Sequence, residues 1–240
     1  MLIFVATAGA ADEAREAVDA FLSRLAVTPI SDLFIEQQIT LYHSDGRQVQ
    51  SRGEQRLAIR VPRRLRLEQT IDGARDIRLS VDDRTWIKNR EGKVVEAPPG
   101  DRARARTYLI TPFRRTVDDL LAEWRAFGVR TDVIQQVEVR RRPVVVVGAG
   151  PDDRQSPAVW IDRDYGVIRF IAREELPRGP ALIDLAFSEH RLVTGGFYFP
   201  YRQEAFTDGR LLVLVTVRSV HANTGLADSL FDPEALKHER

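Results

Sequence analysis

Between Gly53 and Trp86 apolar and charged residues alternate almost without interruption. Leu57, Ile59 and Val61 share one parity, as do Leu65, Leu67 and Ile71, and then Ile77, Leu79 and Val81. Arg56, Arg60, Arg64, Arg66, Glu68, Arg78 and Asp82 stand between them. A period of two means extended chain with one wet face and one covered face. Pro62 separates the first two runs, and Asp72-Gly73 and Asp82-Asp83 mark the next breaks. The stretch therefore predicts three or four neighbouring antiparallel strands with a shared apolar face. Most of the remaining chain is constrained by the need to cover that face.

Two segments have the pattern to do so. Asp12 to Val27 places Ala14, Ala17, Val18, Phe21, Leu22 and Leu25 in one stripe at helical spacing, with Asp12 as N-cap and Pro29 beyond the end. Thr116 to Phe127 places Val117, Leu120, Leu121, Trp124 and Phe127 in another, with Thr116 as N-cap and Gly128 past the end. A short helix over Asp101 to Tyr108 is expected before it. The rest reads as strand: Phe34 to His43, Gln48 to Val61, Val133 to Arg141, Val144 to Val147, and five more up to Val220, for ten to twelve in all. A short terminal helix follows Asp232-Pro233, and its end at Lys237 to Arg240 is expected to fray. No linker composition divides the chain, so residues 12–240 read as one domain.

So many antiparallel strands in one sheet must curl. The expected fold is mainly β with helices (α+β): a single large antiparallel sheet forming an unclosed half-barrel. Its concave face is covered by the N-terminal helix and an inserted helical lid over residues 101–128. If the helices do not fill that face, a cavity for an apolar ligand remains. Its expected lining is Leu57, Ile59, Leu65, Leu67, Ile77 and Leu79 from the sheet, and Leu121, Trp124 and Phe127 from the lid.

Other chemistries find little support. The 36 basic and 35 acidic residues nearly cancel, which gives no general attraction to nucleic acid. With no cysteine, thiolate catalysis, disulfides and acylation at a cysteine are excluded. Val144-Val145-Val146-Val147-Gly148-Ala149-Gly150 opens like a dinucleotide fingerprint, but Pro151 follows and Asp153 stands at the third glycine position. His43, His190, His221 and His238 have no metal-binding spacing and read as surface or edge residues. Asp152-Asp153 and Asp162-Arg163-Asp164 read as turns, not calcium loops. The arginine runs at 63–66, 114–115 and 140–142 read as a solvated face. No cofactor, metal or catalytic residue is expected. Residues 1–11, an apolar patch running into small residues, look like the tail of an export signal and are too short to span a bilayer.

Three motifs and a closing segment, in order, carry a resemblance. Leu57 to Leu67 (LAIRVPRRLRL) is a strand, a proline and a second strand; Asp82-Asp83-Arg84-Thr85-Trp86-Ile87 leads a turn into a tryptophan; Ala158-Val159-Trp160-Ile161-Asp162-Arg163 is an apolar-Trp-x-Asp strand; and Asn223 to Phe231 reads NTGLADSLF. Together these resemble the LolA-like outer-membrane lipoprotein-sorting proteins and related periplasmic lipid carriers. The resemblance implies an open barrel with helices on its concave side. It also implies a non-enzymatic, exported, monomeric periplasmic carrier of lipid or lipoprotein acyl chains, exchanging cargo with inner- and outer-membrane donor and acceptor proteins. The lipoprotein carrier has Arg before the proline and Phe three residues after it. Val61 and Leu65 replace them here, so the implication reaches lipid binding more firmly than lipoprotein transfer. The alternatives are a cell-envelope sensor or assembly factor that grips a protein with the same fold, and a hydrolase whose site is not recognisable.

Overall fold

The computed structural model describes residues 8–98, 109–150, 153, 155–176 and 179–239. A helix α1 (Ala8–Ala26) leads into six strands: β1 (Asp32–Tyr42), β2 (Val49–Arg60), β3 (Arg64–Ile71), β4 (Ala74–Val81), β5 (Arg84–Lys88) and β6 (Val94–Glu96). Helix α2 (Val117–Ala126) comes next. Then follow β7 (Ile134–Val139), β8 (Arg142–Val147), β9 (Ala158–Asp162), β10 (Gly166–Leu176), β11 (Gly179–Thr194), β12 (Phe197–Thr207) and β13 (Arg210–Ala222). A 3-10 turn (Asp228–Phe231) and a short helix α3 (Pro233–His238) close the described chain.

All thirteen strands belong to one antiparallel sheet, in the order β6-β5-β4-β3-β2-β1-β13-β12-β11-β10-β9-β8-β7. The first and last strands pair in its middle, and β6 and β7 form its two open edges, giving an unclosed half-barrel. The strand that exceeds the expected count is the three-residue edge strand β6, too short to show a period. Because β6 and β7 lie at opposite edges, the chain between them must cross one face. Residues 109–133 are the described part of that crossing. The short helix expected over Asp101 to Tyr108 lies outside the described residues.

Helix α1 begins at Ala8, so Asp12 lies inside the helix and does not cap it; the alanines ahead of it extend the helix at little cost. Its buried stripe is Ala14, Val18, Phe21 and Leu25. Helix α2 starts as its sequence predicts. Thr116 accepts a hydrogen bond from the Asp119 amide at 3.1 Å, and Asp119 accepts one from the Thr116 amide at 3.1 Å. Leu120, Leu121 and Trp124 are buried beneath it.

The sheet is apolar on both faces, which the alternation alone does not reveal. On the concave side a large core joins α1, α2 and inward residues of most strands. On the convex side a second cluster forms from Ala58, Ile77 and Leu79 under Phe231 and Leu236. The expectation that Ile77 and Leu79 share the face of Leu57 and Leu67 is thereby corrected. The cause is turn length. Arg60 pairs with Arg64 across a three-residue connection, so odd positions of β2 and β3 face the same way. Ile71 pairs with Ala74 across the two-residue turn Asp72-Gly73, so odd positions of β3 pair with even positions of β4. The facing set inverts at that turn.

The C-terminal segment is docked and not frayed at Glu239. Arg66, only 3% exposed, donates to Glu68 at 2.7 Å and to Glu239 at 2.6 Å. Arg75 donates to the same two carboxylates at 2.9 and 2.8 Å. The Lys88 ammonium donates to the Leu236 carbonyl at 3.1 Å and to that of Glu239. Upstream, Asp32 accepts from the Thr224 amide and hydroxyl at 2.7 and 2.8 Å and from the Gly225 amide at 3.1 Å. Burial raises the pKa of Asp32, but these donors outweigh it and hold the carboxyl below its ordinary value. A buried arginine between two carboxylates keeps its charge compensated, and the apolar strap over Leu79 supplies the burial.

Candidate functional site

The concave face is filled unevenly. Over β7–β10 both helices pack against it, with an open recess of about 400 Å³ left between α1 and β7–β9, where Arg163 and Gln136 enter its lining. Phe21 of α1 lies against Gly166, where a Cβ would come within 2.2 Å of its ring. Phe127 meets Phe170 edge to face at 5.2 Å. Trp124 is 1% exposed. Phe113, Phe197 and Phe199 then form an aromatic wall, with centroid separations of 4.9 and 6.2 Å. Beyond Phe199, among the described residues, the crossing segment around Ile110 and Thr111 covers the sheet, and a cavity of about 360 Å³ opens. Its floor is Ile35, Ile39, Leu57, Ile59 and Leu67 from β1–β3; its walls come from Leu185 and Phe187 of β11 and from Ala205, Val213 and Val215 of β12 and β13.

Of the nine residues expected to line such a cavity, Leu57, Ile59 and Leu67 do so. Leu65 is buried in the adjoining core. Ile77 and Leu79 lie on the convex face under the strap. Leu121, Trp124 and Phe127 pack in the main core with α1. The lid's large side chains are thus core, and the shorter Ile110 and Thr111 cover the hollow.

The floor also carries a polar row that the alternation conceals. Gln37, Gln55, Gln69 and Asp76 stand directly opposite one another on four successive strands. Gln37 Nε2 donates to Gln55 Oε1 at 2.7 Å, Gln55 Nε2 donates to Gln69 Oε1 at 2.9 Å, and Gln69 Nε2 donates to both Asp76 oxygens at 3.0 Å. Gln37 and Gln55 are 6% and 7% exposed and line the cavity with Gln203. The signal in the sequence is the set Gln37, Gln55 and Gln69, polar residues at the parity of Ile35, Leu57 and Leu67.

Two other places bear on chemistry. A larger cleft of about 670 Å³ separates α1 from residues 112–118, but charged side chains enter its walls, and Arg15 and Asp118 form an ion pair at it. It suits an apolar chain less well than the smaller cavity. Near the β9–β10 turn, Asp162 is buried and accepts from Arg142 at 2.6 and 2.9 Å and from the amides of Asp164 and Tyr165 at 2.7 and 3.0 Å. Burial raises its pKa, yet the guanidinium and the two amides together hold it below the ordinary carboxylate range. Tyr165 stacks on His190 with centroids 4.5 Å apart, and Arg142 covers the Tyr165 ring at 4.3 Å. His190 is thus half-buried, and burial pushes its pKa down to about 4. Asp162 spends its oxygens on these donors, and Asp153 accepts from the amides of Gln155 and Ser156. Among the described residues no three metal-ligating side chains cluster, and no helix is long and apolar enough to cross a membrane.

No protein-family model and no curated protein matches the chain. Solved structures do. A proposed outer membrane lipoprotein-sorting protein domain from Vibrio parahaemolyticus superposes with a TM-score of 0.60 at 14% identity, over 95% of this chain and 99% of that one. A DUF1329 family protein from Desulfovibrio piger gives 0.60 at 13% identity, over 93% and 98%. A LolA superfamily protein from Nitrosomonas europaea gives 0.54 at 10% identity, over 93% and 98%. The chain has the LolA-like fold across nearly its whole length.

Proposed function

We propose that the chain is a carrier that holds an acyl chain of a lipid or lipoprotein in the cavity beneath Ile110 and Thr111, and conducts it through the periplasm toward the outer membrane. The observation that carries this reading is the cavity itself, lined mostly by apolar side chains and partly covered by a thin crossing segment. The fold shared with a lipoprotein-sorting protein domain and a LolA superfamily protein supports it. At about 360 Å³ the cavity lies near the small end of ligand sites, which suits part of one chain and not a bundle of several. Each buried methylene is worth about 0.8 kcal/mol, so half a dozen contribute about 5 kcal/mol. That is enough for capture and weak enough for release when the cover opens. The action is binding, with no bond made or broken.

The test is native mass spectrometry of gently purified protein, followed by titration with a fluorescent fatty probe. Co-purifying lipid and saturable probe binding are expected. A protein that carries no lipid and never takes up the probe would sink the reading.

A further inference from the structure

We infer that the cavity selects for a hydrogen-bond donor on its ligand, a hydroxyl or an amide N–H adjoining the acyl chain, and that Gln37 Oε1 receives it. This rests on the carrier reading above and adds a chemical preference to it.

The argument follows the polar row from its charged end. A carboxylate accepts hydrogen bonds and donates none. Asp76 therefore obliges Gln69 to turn its amide nitrogen outward along the row, as the two 3.0 Å contacts show. Gln69 then offers only its oxygen to Gln55, and Gln55 only its oxygen to Gln37. The direction of the whole row is set by one residue three strands away. Gln37 has its nitrogen committed to Gln55, so its oxygen takes no part in the row, and the residue opposite it on β13 is Val217, whose side chain has no donor to offer. Among the described residues no donor meets that oxygen. Gln37 is 94% buried, since 6% of it is exposed.

The oxygen is not sealed from solvent, so the empty cavity carries no penalty; a ligand that displaces the solvent without donating to the oxygen leaves it unmet, at a cost of roughly 1–3 kcal/mol. The row also polarises: each amide strengthens the next, and the carboxylate drives electron density toward the Gln37 oxygen. A row that served only to hold β1–β4 in register would have no preference among ligands, which separates the two roles.

The probe is displaced by three competitors of one chain length: a fatty alcohol, a fatty primary amide and the methyl ester, which has no donor. One recovered hydrogen bond corresponds to about a five- to tenfold preference. The ratio of alcohol and amide to ester is compared between wild type and variants, which cancels the ligands' own solubilities. In Gln37→Leu the ratio is expected to fall about five- to tenfold below its wild-type value. Asp76→Asn keeps the shape of the row but lets it run in either direction, and should reduce the preference partway even if Gln37→Leu does not fold. Equal displacement by all three in wild type overturns the selectivity and leaves the carrier standing. A preference undiminished in either variant overturns the role of the row. Failure of the probe to bind at all overturns the carrier reading and this proposal with it.

Discussion

Leu79→Ala distinguishes the two faces of the sheet. Leu79 is fully buried, yet under Phe231 and Leu236 on the convex side, with the sheet between it and the cavity. Removing its three outer carbons leaves a void beneath a strap that is pinned at Arg66 and Lys88 and cannot simply settle. The cost of such a truncation runs to about 2–5 kcal/mol, which lowers Tm by roughly 5–15 °C for a domain of this size. The assay is urea unfolding followed by tryptophan fluorescence, beside titration with the fatty probe. The midpoint should fall with little change in slope, while probe affinity measured well below the transition stays at the wild-type value. The companion variant is Leu67→Trp. Leu67 is half-buried on the cavity floor, so an indole there extends into empty space. It should leave stability within about 1.5 kcal/mol and reduce probe binding at least tenfold. Loss of probe binding in Leu79→Ala at wild-type stability, or unchanged binding in Leu67→Trp, would refute the assignment of faces.

Two further outcomes follow from the packing. His190, held at a pKa of about 4 against about 6.5 when unfolded, stays neutral in the fold while the unfolded chain takes up a proton. Stability should therefore rise with pH between those values, and acidification through them should lose roughly 2–3 kcal/mol; His190→Phe keeps the stack on Tyr165, and should flatten the urea midpoint between pH 7 and pH 5, which an unchanged slope would contradict. Gly166→Ala places a Cβ within 2.2 Å of the Phe21 ring at a φ of +77°, so it should cost about 2–5 kcal/mol, and Phe21→Leu in the same chain should recover part of that loss in a double-mutant cycle.

The architecture was largely legible in the alternation from Gly53 to Trp86 and in the stripes of α1 and α2, because burial imposes those periods directly. What was hidden depends on pairing. The facing of Ile77 and Leu79 follows from the two residues between Ile71 and Ala74, a count that parity along the chain ignores. Apolar residues on both faces defeat any reading that assumes one face is wet, and the strap over Leu79 lies more than 140 residues further along the chain. Trp124 and Phe127 looked like cavity lining because large aromatics suit apolar ligands; the same size makes them good filling, and they fill the half they cover. The polar row needed four strands in register before Gln37, Gln55, Gln69 and Asp76 became neighbours. Gln37 between two isoleucines, Gln69 between Leu67 and Ile71, and Gln55 ahead of Leu57, all at inward positions, marked the place in advance.

The pairing of β1 with β13 carries a consequence for how the chain comes into being. The partners of Leu33 and Phe34 are Ala222 and His221, so the seam at the centre of the sheet waits until the chain has emerged past residue 222. Until then each half of the meander has a bare inner flank of unpaired amides and a greasy surface, a state prone to sticking to its neighbours. Contacts so distant along the chain make maturation slow, and a chaperone that masks the early half during synthesis should raise the soluble yield.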